Sequence, residues 1–488
     1  MNGIELNADA AEPGPARPNI VWILSDQHRA DAIGANSDGV VQTPNLDALM
    51  AEATSFDSNY CQGPLCVPAR ASLLTQRYVS DHGVEDNTWR NGTPGLPTTV
   101  QQIRDAGYHT AALGKMHLYK YPPDVADGEP IMHEHGFIEV DEVLGKYGNA
   151  FGRSPYTDYL AERGQLEAYA WFLEERNPHS RSTLAERGME GKAHWSTDPA
   201  PMAAEDHPDA WLGRRTADWI TDYQGDGPFF LWVGFPGPHD PWDAPQEYVD
   251  LYSDKEIPLP ETLEPPVPGG NSFDRMLDAV ADYGSSATAD LDTIREVRRH
   301  YYAGVSMIDE SIGLIMDQLR KRGMLDNTWI VYTSDHGEML GDHGLFTKTL
   351  FYESSVRVPL VVRPPGGQEP RTFSGLTEHI DLAATLCELA GAEPVQGSSG
   401  RSFADILRGG SDWDREVVRS ECEGFGMWRT NGYKLVVDES ELVPVQLFDL
   451  RRDPLENLNR VAEAEYQLVV QNLMTGHVLP DLKHRGRG

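Results

Sequence analysis

Residues 66–70 read Cys66-Val67-Pro68-Ala69-Arg70. Proline is tolerated in a first helical turn, so this run predicts a helix that begins near the cysteine and sets Cys66 at the positive helix end. Unpaired backbone N–H groups there favour an anion or an ionised nucleophile, and Arg70 one turn later adds charge on the same face. A buried cysteine capping a helix could carry the same residues, so the motif takes its meaning from its company. Asp26 and the pair Asp335-His336 offer oxygen and nitrogen donors suited to a divalent cation of hard or borderline character. Lys115, His117, His239 and Lys348 offer cations and proton carriers. Cleavage of an anionic ester needs both kinds of group. Negative charge must be neutralised as it spreads over the transferred group, and a proton must reach the departing oxygen. A metal beside residue 66 would lower the pKa of an attached hydroxyl.

The elements that must position these side chains follow from the apolar pattern. Strand-like runs at 19–25, 109–113, 228–235 and 328–333 alternate with helical stretches at 44–56, 97–106, 215–223, 294–320 and 379–390. This is the pattern of an α/β fold: a large, mostly parallel sheet sandwiched by helices. Ligands of such sheets collect beyond the carboxyl ends of the strands. The four runs end in Asp26-Gln27, Lys115-Met116-His117, His239-Asp240 and Asp335-His336, which predicts one shared crevice. Residues 118–212 lack sustained periodicity and read as an insertion near the crevice mouth, in which aromatic side chains, with Trp89 and Trp242, are candidates to line a pocket. The proline-rich stretch 256–270 reads as an extended surface loop. Short strand-like pieces at 434–437 and 446–448 precede a last helix. The expected organisation is an N-terminal extension over 1–17, a catalytic domain over 18–410, and a smaller C-terminal α+β domain over 411–488 carrying a short antiparallel sheet.

Composition narrows the partners. A formal net charge of −35 repels polyanions over the whole surface, so neither nucleic acid nor an acidic membrane is expected, and any anion site must be a local basic pocket. Four cysteines in 488 residues are too few and too irregularly spaced for a disulfide framework. Without a signal-like N-terminus or a run of eighteen apolar residues, a cytoplasmic protein is expected.

The segments 19–27, 66–74, 107–117 and 335–337, followed by Leu447-Phe448-Asp449-Leu450 and Asp453-Pro454, closely resemble the type I sulfatases of the alkaline phosphatase superfamily, in the family's order and over most of the chain. The resemblance implies that Cys66 is converted by a formylglycine-generating oxidase to formylglycine, whose hydrate attacks sulfur and forms a covalent sulfo-enzyme intermediate. It implies that Asp26, Asp335, His336 and residue 66, with Gln27, bind one divalent ion, calcium first and magnesium or manganese next. It further implies His117 as the base that releases sulfate, His239 as the acid for the leaving oxygen, Lys115 and Lys348 as holders of the sulfate, and Arg70 as an anchor for residue 66. Asn87 and Gln27 are substrate-binding candidates, and the substrate is expected to be a small aryl or alkyl sulfate. A homo-oligomer is compatible with the C-terminal segment. Three positions depart from the commonest pattern: Ala69 stands for serine, Gln27 for a second aspartate, and His336 for asparagine. These departures also resemble the phosphonate monoester and phosphodiester hydrolases, which are the alternative reading; the Lys115-x-His117 pair resembles sulfatases instead. An unmodified, catalytically silent anion binder, or a redox role for Cys66 with Cys61, is the reading from another class.

Overall fold

All eight residues of β1 (Asn19–Asp26) are buried, as a central strand covered on both faces requires. The computed structural model describes residues 17–485 apart from 90, 91, 94, 178, 179, 188, 190, 191, 193, 194, 267 and 285–288. Almost all of the expected extension 1–17 therefore lies outside the described residues.

β1 is joined by β2 (Thr54–Tyr60), β3 (His109–Gly114), β4 (Glu139–Glu142), β5 (Phe229–Pro238), β6 (Thr328–Ser334), β7 (Arg357–Arg363), β8 (Arg371–Phe373) and β9 (Thr377–Glu378). They form one nine-stranded sheet in the order β4-β3-β5-β1-β6-β7-β2-β8, with β9 beside β2. β3, β5, β1 and β6 are neighbours and parallel, and the register sets Ser25 level with Phe235 on one side and Ser334 on the other. Their carboxyl ends thus open at one level. β7 runs against its neighbours β6 and β2, so β2 ends on the same side as β1.

Helices cover both faces. α1 (Pro44–Met50), α4 (Pro208–Asp222) and the long α5 (Leu291–Lys321) share the core of Val21, Ile23, Leu231 and Val233. α2 (Cys66–Thr75), α3 (Thr99–Asp105) and α6 (His379–Leu389) pack with Ile20, Trp22, Phe230 and Trp232 on the other. The expected α/β sandwich is the observed one. Capping sets several boundaries. Thr98 and Gln101 form a capping box that starts α3, Pro208 and the His207 imidazole move the start of α4 ahead of 215, and Asp290 caps α5.

Three expectations are corrected. The helix foreseen over 44–56 ends at Met50, and Thr54–Tyr60 becomes β2, because Ser55 and Phe56 find ladder partners in both β7 and β8. β7 is absent from the strand-like runs; it carries Pro359, a residue that interior strands rarely hold. Its missing N–H falls where β2 bulges between Phe56 and Asn59, so no ladder bond is lost there. The stretch 118–212, read as an insertion without sustained periodicity and so given no elements, carries β4 and the short helices Glu129–Glu134, Pro155–Glu162, Leu166–Arg176 and Arg181–Glu186.

Toward the C-terminus β10 (Val417–Cys422), β11 (Phe425–Thr430), β12 (Tyr433–Asp438) and β13 (Val443–Asp449) form a separate antiparallel sheet. Fully buried Lys434 on β12 ties it to the larger body, with Nζ 2.6 Å from Glu456 and 2.9 Å from Glu353. No described helix is long and apolar enough to cross a membrane.

One close approach couples the sheet to the loop after β3. A Cβ on Gly234 of β5 would stand 2.0 Å from the carbonyl oxygen of Lys115, whereas one on Gly304 of α5 would find nothing nearer than Pro238 at 3.7 Å. Gly234→Ala is expected to cost about 3 kcal/mol by overpacking against backbone. Gly304→Ala is expected to gain up to about 1 kcal/mol of helix propensity. Chemical denaturation of the two variants checks the contrast.

Candidate active site

Cys66 opens α2 immediately beyond the loop that leaves β2, and its side chain is 1% exposed. Asn87 caps this helix end: its Oδ1 accepts the Val67 N–H at 3.0 Å. Cys66 Sγ stands 3.2 Å from His336 Nε2 and 3.8 Å from Asp26 Oδ1. His336 Nδ1 lies 2.9 Å from the Gly337 carbonyl, which can only accept, so Nδ1 carries a proton and Nε2 is the nitrogen turned toward residue 66. Burial opposes a second proton there, but Asp335 and the Cys66 sulfur outweigh it and push the imidazole up, so a bound cation would take that proton's place. Donor atoms of Asp26, Cys66, Asp335 and His336 all fall within 4.8 Å of one another, and all four residues are buried. Burial and the neighbouring Asp26 charge push the Asp335 carboxyl up. Two carboxylates and an imidazole lone pair in one buried place are a donor set that fits a divalent cation.

Arg70 is fully buried behind this cluster. Its Nε donates to Asp335 at 2.8 Å, one terminal nitrogen reaches Asp26 at 3.2 Å, and the other donates to the carbonyls of Lys115 at 2.6 Å and Met116 at 3.2 Å. Lys115 Nζ completes the pairing 2.5 Å from Asp26. Burial and the Cys66 sulfur oppose ionisation of Asp26, yet Lys115, His239 and Arg70 hold its carboxyl well below the usual range. Burial likewise pushes the Cys66 thiol up, but Lys348, Lys115 and His336 outweigh it and hold the thiol well below its ordinary value. The local basic pocket demanded by an acidic chain is therefore present at residue 66.

His117 faces the sulfur from the third side and stacks on Tyr121 at 4.9 Å between ring centroids. Burial pushes its imidazole down to about 4, which leaves it neutral and able to accept a proton. Glu142 points its carboxylate at the amides of Met116 and His117 and accepts the Tyr119 hydroxyl, bracing this loop from below.

On the fourth side Lys348 Nζ lies 2.8 Å from His239 Nε2 and also donates to Gln27 Oε1. His239 Nδ1 lies 2.6 Å from the Asp240 carbonyl, so Nδ1 is the protonated nitrogen and Nε2 faces the ammonium. Tyr147, from the insertion, donates to Asp240 at 2.9 Å and sets its ring edge-on to His239. Fully buried Glu338 accepts the amides of Leu340 at 2.8 Å and Thr347 at 2.6 Å, and also the Gln27 side-chain amide.

Asp26, Cys66, Arg70, Lys115, His117, His239, Asp335, His336 and Lys348 thus surround one point at the ends of β3, β5, β1, β6 and β2. Gln27 engages Lys348 and Glu338, and Asn87 engages the start of α2. Trp89 packs with Val67, Ala71 and Val84, and Trp242 packs on Phe346. Sequence reasoning missed Glu338, Glu142 and Tyr147. Only Glu338 carried a signal, lying two residues beyond His336 in a run of polar groups after β6.

A family model described as Sulfatase matches residues 18–392, and one described as N-sulphoglucosamine sulphohydrolase, C-terminal, matches 341–479. An arylsulfatase of Clostridium perfringens is 28% identical over 92% of each chain, and a choline-sulfatase of Rhizobium meliloti is 32% identical over 91% of this chain and 82% of its own. A solved phosphonate monoester hydrolase from Silicibacter pomeroyi, 26% identical, superposes over 96% of both chains with a TM-score of 0.76. With such a match across most of its length, and with the sheet and strand-end cluster already described, the chain belongs to the type I sulfatase family of the alkaline phosphatase superfamily.

Proposed function

We propose that this protein hydrolyses small sulfate monoesters at residue 66. The observation that carries the reading is the convergence of Asp26, Cys66, Asp335 and His336 in one buried cluster, ringed by Lys115, His117, Lys348 and His239. In this reading a formylglycine-generating oxidase, using dioxygen as the oxidant, first replaces the Cys66 thiol and one Cβ hydrogen with a carbonyl oxygen, the sulfur leaving as sulfide. The aldehyde hydrate supplies an attacking oxygen and a route to release sulfate without water striking sulfur. Asp26, Asp335, His336 and residue 66 would hold the divalent ion, which supplies positive charge for developing anionic oxygens. The imidazole in this donor set favours manganese over calcium, the ion that the family resemblance implies first.

The chain's own residues divide the remaining work. Asn87 and Arg70 hold the start of α2 and so fix residue 66. Lys115 and Lys348 both act on residue 66 and would neutralise charge on the sulfate oxygens as it spreads. The proton shared between Lys348 Nζ and His239 Nε2 goes to the departing alkoxide, and neutral His117 takes one from the residue 66 side. The second reading, phosphonate monoester hydrolysis, is favoured by the likeness to a solved hydrolase of that class. Against it, Lys115 and His117 both face the nucleophile, as the sulfatase pattern requires.

Three measurements test this. Peptide mapping across residues 62–77 of protein made beside a competent oxidase is expected to show the aldehyde at residue 66; thiol alone removes the mechanism. On matched sulfate and phosphonate monoesters, the modified enzyme is expected to show the higher kcat/KM on sulfate, and a phosphonate preference reverses the assignment. Chelation is expected to lower the melting temperature as well as activity, because Asp26 and Asp335 then face each other across one fewer cation, with manganese restoring both; an unchanged melting curve contradicts the metal site.

A further inference from the structure

Gln27 stands between a carboxylate and an ammonium. Its Nε2 donates to Glu338 and its Oε1 accepts from Lys348 Nζ. The amide has one orientation that suits both neighbours, since the flipped form would set oxygen against carboxylate and NH₂ against ammonium. Glu338 is itself saturated with donors: Oε1 takes the amides of Leu340 and Thr347, and Oε2 takes Gln27. Thr347 immediately precedes Lys348 and has φ 73°, a left-handed backbone that a non-glycine residue holds only under constraint. Glu338 thus touches Lys348 by two routes, through the Gln27 side chain and through the backbone at Thr347. Lys348 in turn meets His239, which meets Asp240 and Tyr147.

We propose that Glu338 is a positioning residue which, through Gln27, aims the Lys348–His239 proton pair at the leaving oxygen. The carboxylate stands one side chain behind the site, and the Gln27 side-chain amide relays its polarity to the ammonium. This rests on the sulfate-ester reading for the role of the pair, while the Glu338–Gln27–Lys348 linkage stands apart from it.

Glutamate and glutamine have the same shape, so the polarity of the linkage is reversible. In Glu338→Gln, two NH₂ groups face each other unless Gln27 turns its nitrogen on Lys348. In Gln27→Glu, two carboxylates meet. In the double exchange the amide introduced at position 338 keeps its oxygen on the Leu340 and Thr347 amides and donates its NH₂ to the carboxylate introduced at position 27, which in turn accepts from Lys348. Each single variant is expected to lose about 10- to 100-fold in kcat/KM. The double variant is expected to recover to within about threefold of the parent, as coupled neighbours do in a mutant cycle. The losses in Glu338→Gln are expected to fall in kcat rather than KM and to grow from aryl sulfates with good leaving groups to alkyl sulfates with poor ones. A purely architectural role would not make that distinction.

Melting temperatures of all four proteins, measured with and without chelator, give a readout that needs no substrate. Recovery of the melting temperature in the double variant supports the linkage even where no sulfate ester is turned over, in which case the assigned reaction fails and not the linkage. Additive losses in the double variant, single variants indistinguishable from the parent, or a loss independent of the leaving group would overturn the proposal. If Glu338→Gln does not fold, the comparison of Gln27→Glu with the double variant decides.

Discussion

Arg70 is the contact on which the site is built. One guanidinium, with no exposed surface, bonds carboxylates at the ends of β1 and β6 and two carbonyls after β3, while its own helix carries Cys66. Four separate stretches of chain are held to one another by a single planar group. Burying a guanidinium and two carboxylates is expensive unless each is paired and hydrogen-bonded, and removing one partner from such a set leaves an uncompensated charge worth about 3–5 kcal/mol. The cluster therefore exists whole or not at all. Lysine would not replace it, because a point charge cannot reach Asp26, Asp335 and the Lys115 carbonyl in one plane.

That constraint also explains how a chain of net charge −35 keeps an anion pocket. Acidic surface repels sulfate at long range but is screened within about 8–10 Å at physiological salt. Inside the crevice the field is set by the nearest groups. Arg70 is paired with Asp26 and Asp335, and Lys115 with Asp26; the cations that act most strongly on residue 66 are Lys348 and Lys115.

Much of this was legible before any coordinates. Strands buried on both faces write themselves as unbroken apolar runs, so β1, β3, β5 and β6 were found, and their polar terminations led to the site. What escaped was decided by tertiary partners. β2 is short and mixed in polarity, with a burial pattern that is only partly alternating, and becomes a strand because β7 and β8 bond it from both sides. β7 hides behind Pro359, whose missing donor costs nothing only because β2 bulges opposite. Tyr147 lies in a stretch without periodicity, and nothing local says that it will reach Asp240. Glu142 ends a four-residue edge strand, and only the path of the loop after β3 turns it into a support.

The same logic accounts for the backbone at the site. Gln27, His117, Thr347 and Thr349 all have positive φ, at 70°, 47°, 73° and 90°. None is glycine or asparagine, so each is held against its own preference. Each also lies next to or at a residue that faces residue 66: Gln27 follows Asp26, His117 is itself such a residue, and the two threonines flank Lys348. Strain of this kind persists only where surrounding bonds over-determine the geometry, and those bonds are visible. The Gln27 backbone N–H donates to Asp335 at 3.0 Å, the Thr347 N–H to Glu338 at 2.6 Å, the Thr349 N–H to the Pro64 carbonyl at 3.1 Å, and the His117 loop is gripped by Arg70 and faced by Glu142. A relaxed backbone would let cations and imidazoles reorganise around each new charge distribution. A backbone fixed in this way has already met that cost in folding, so the groups that face the transferred anion stand in place before it arrives.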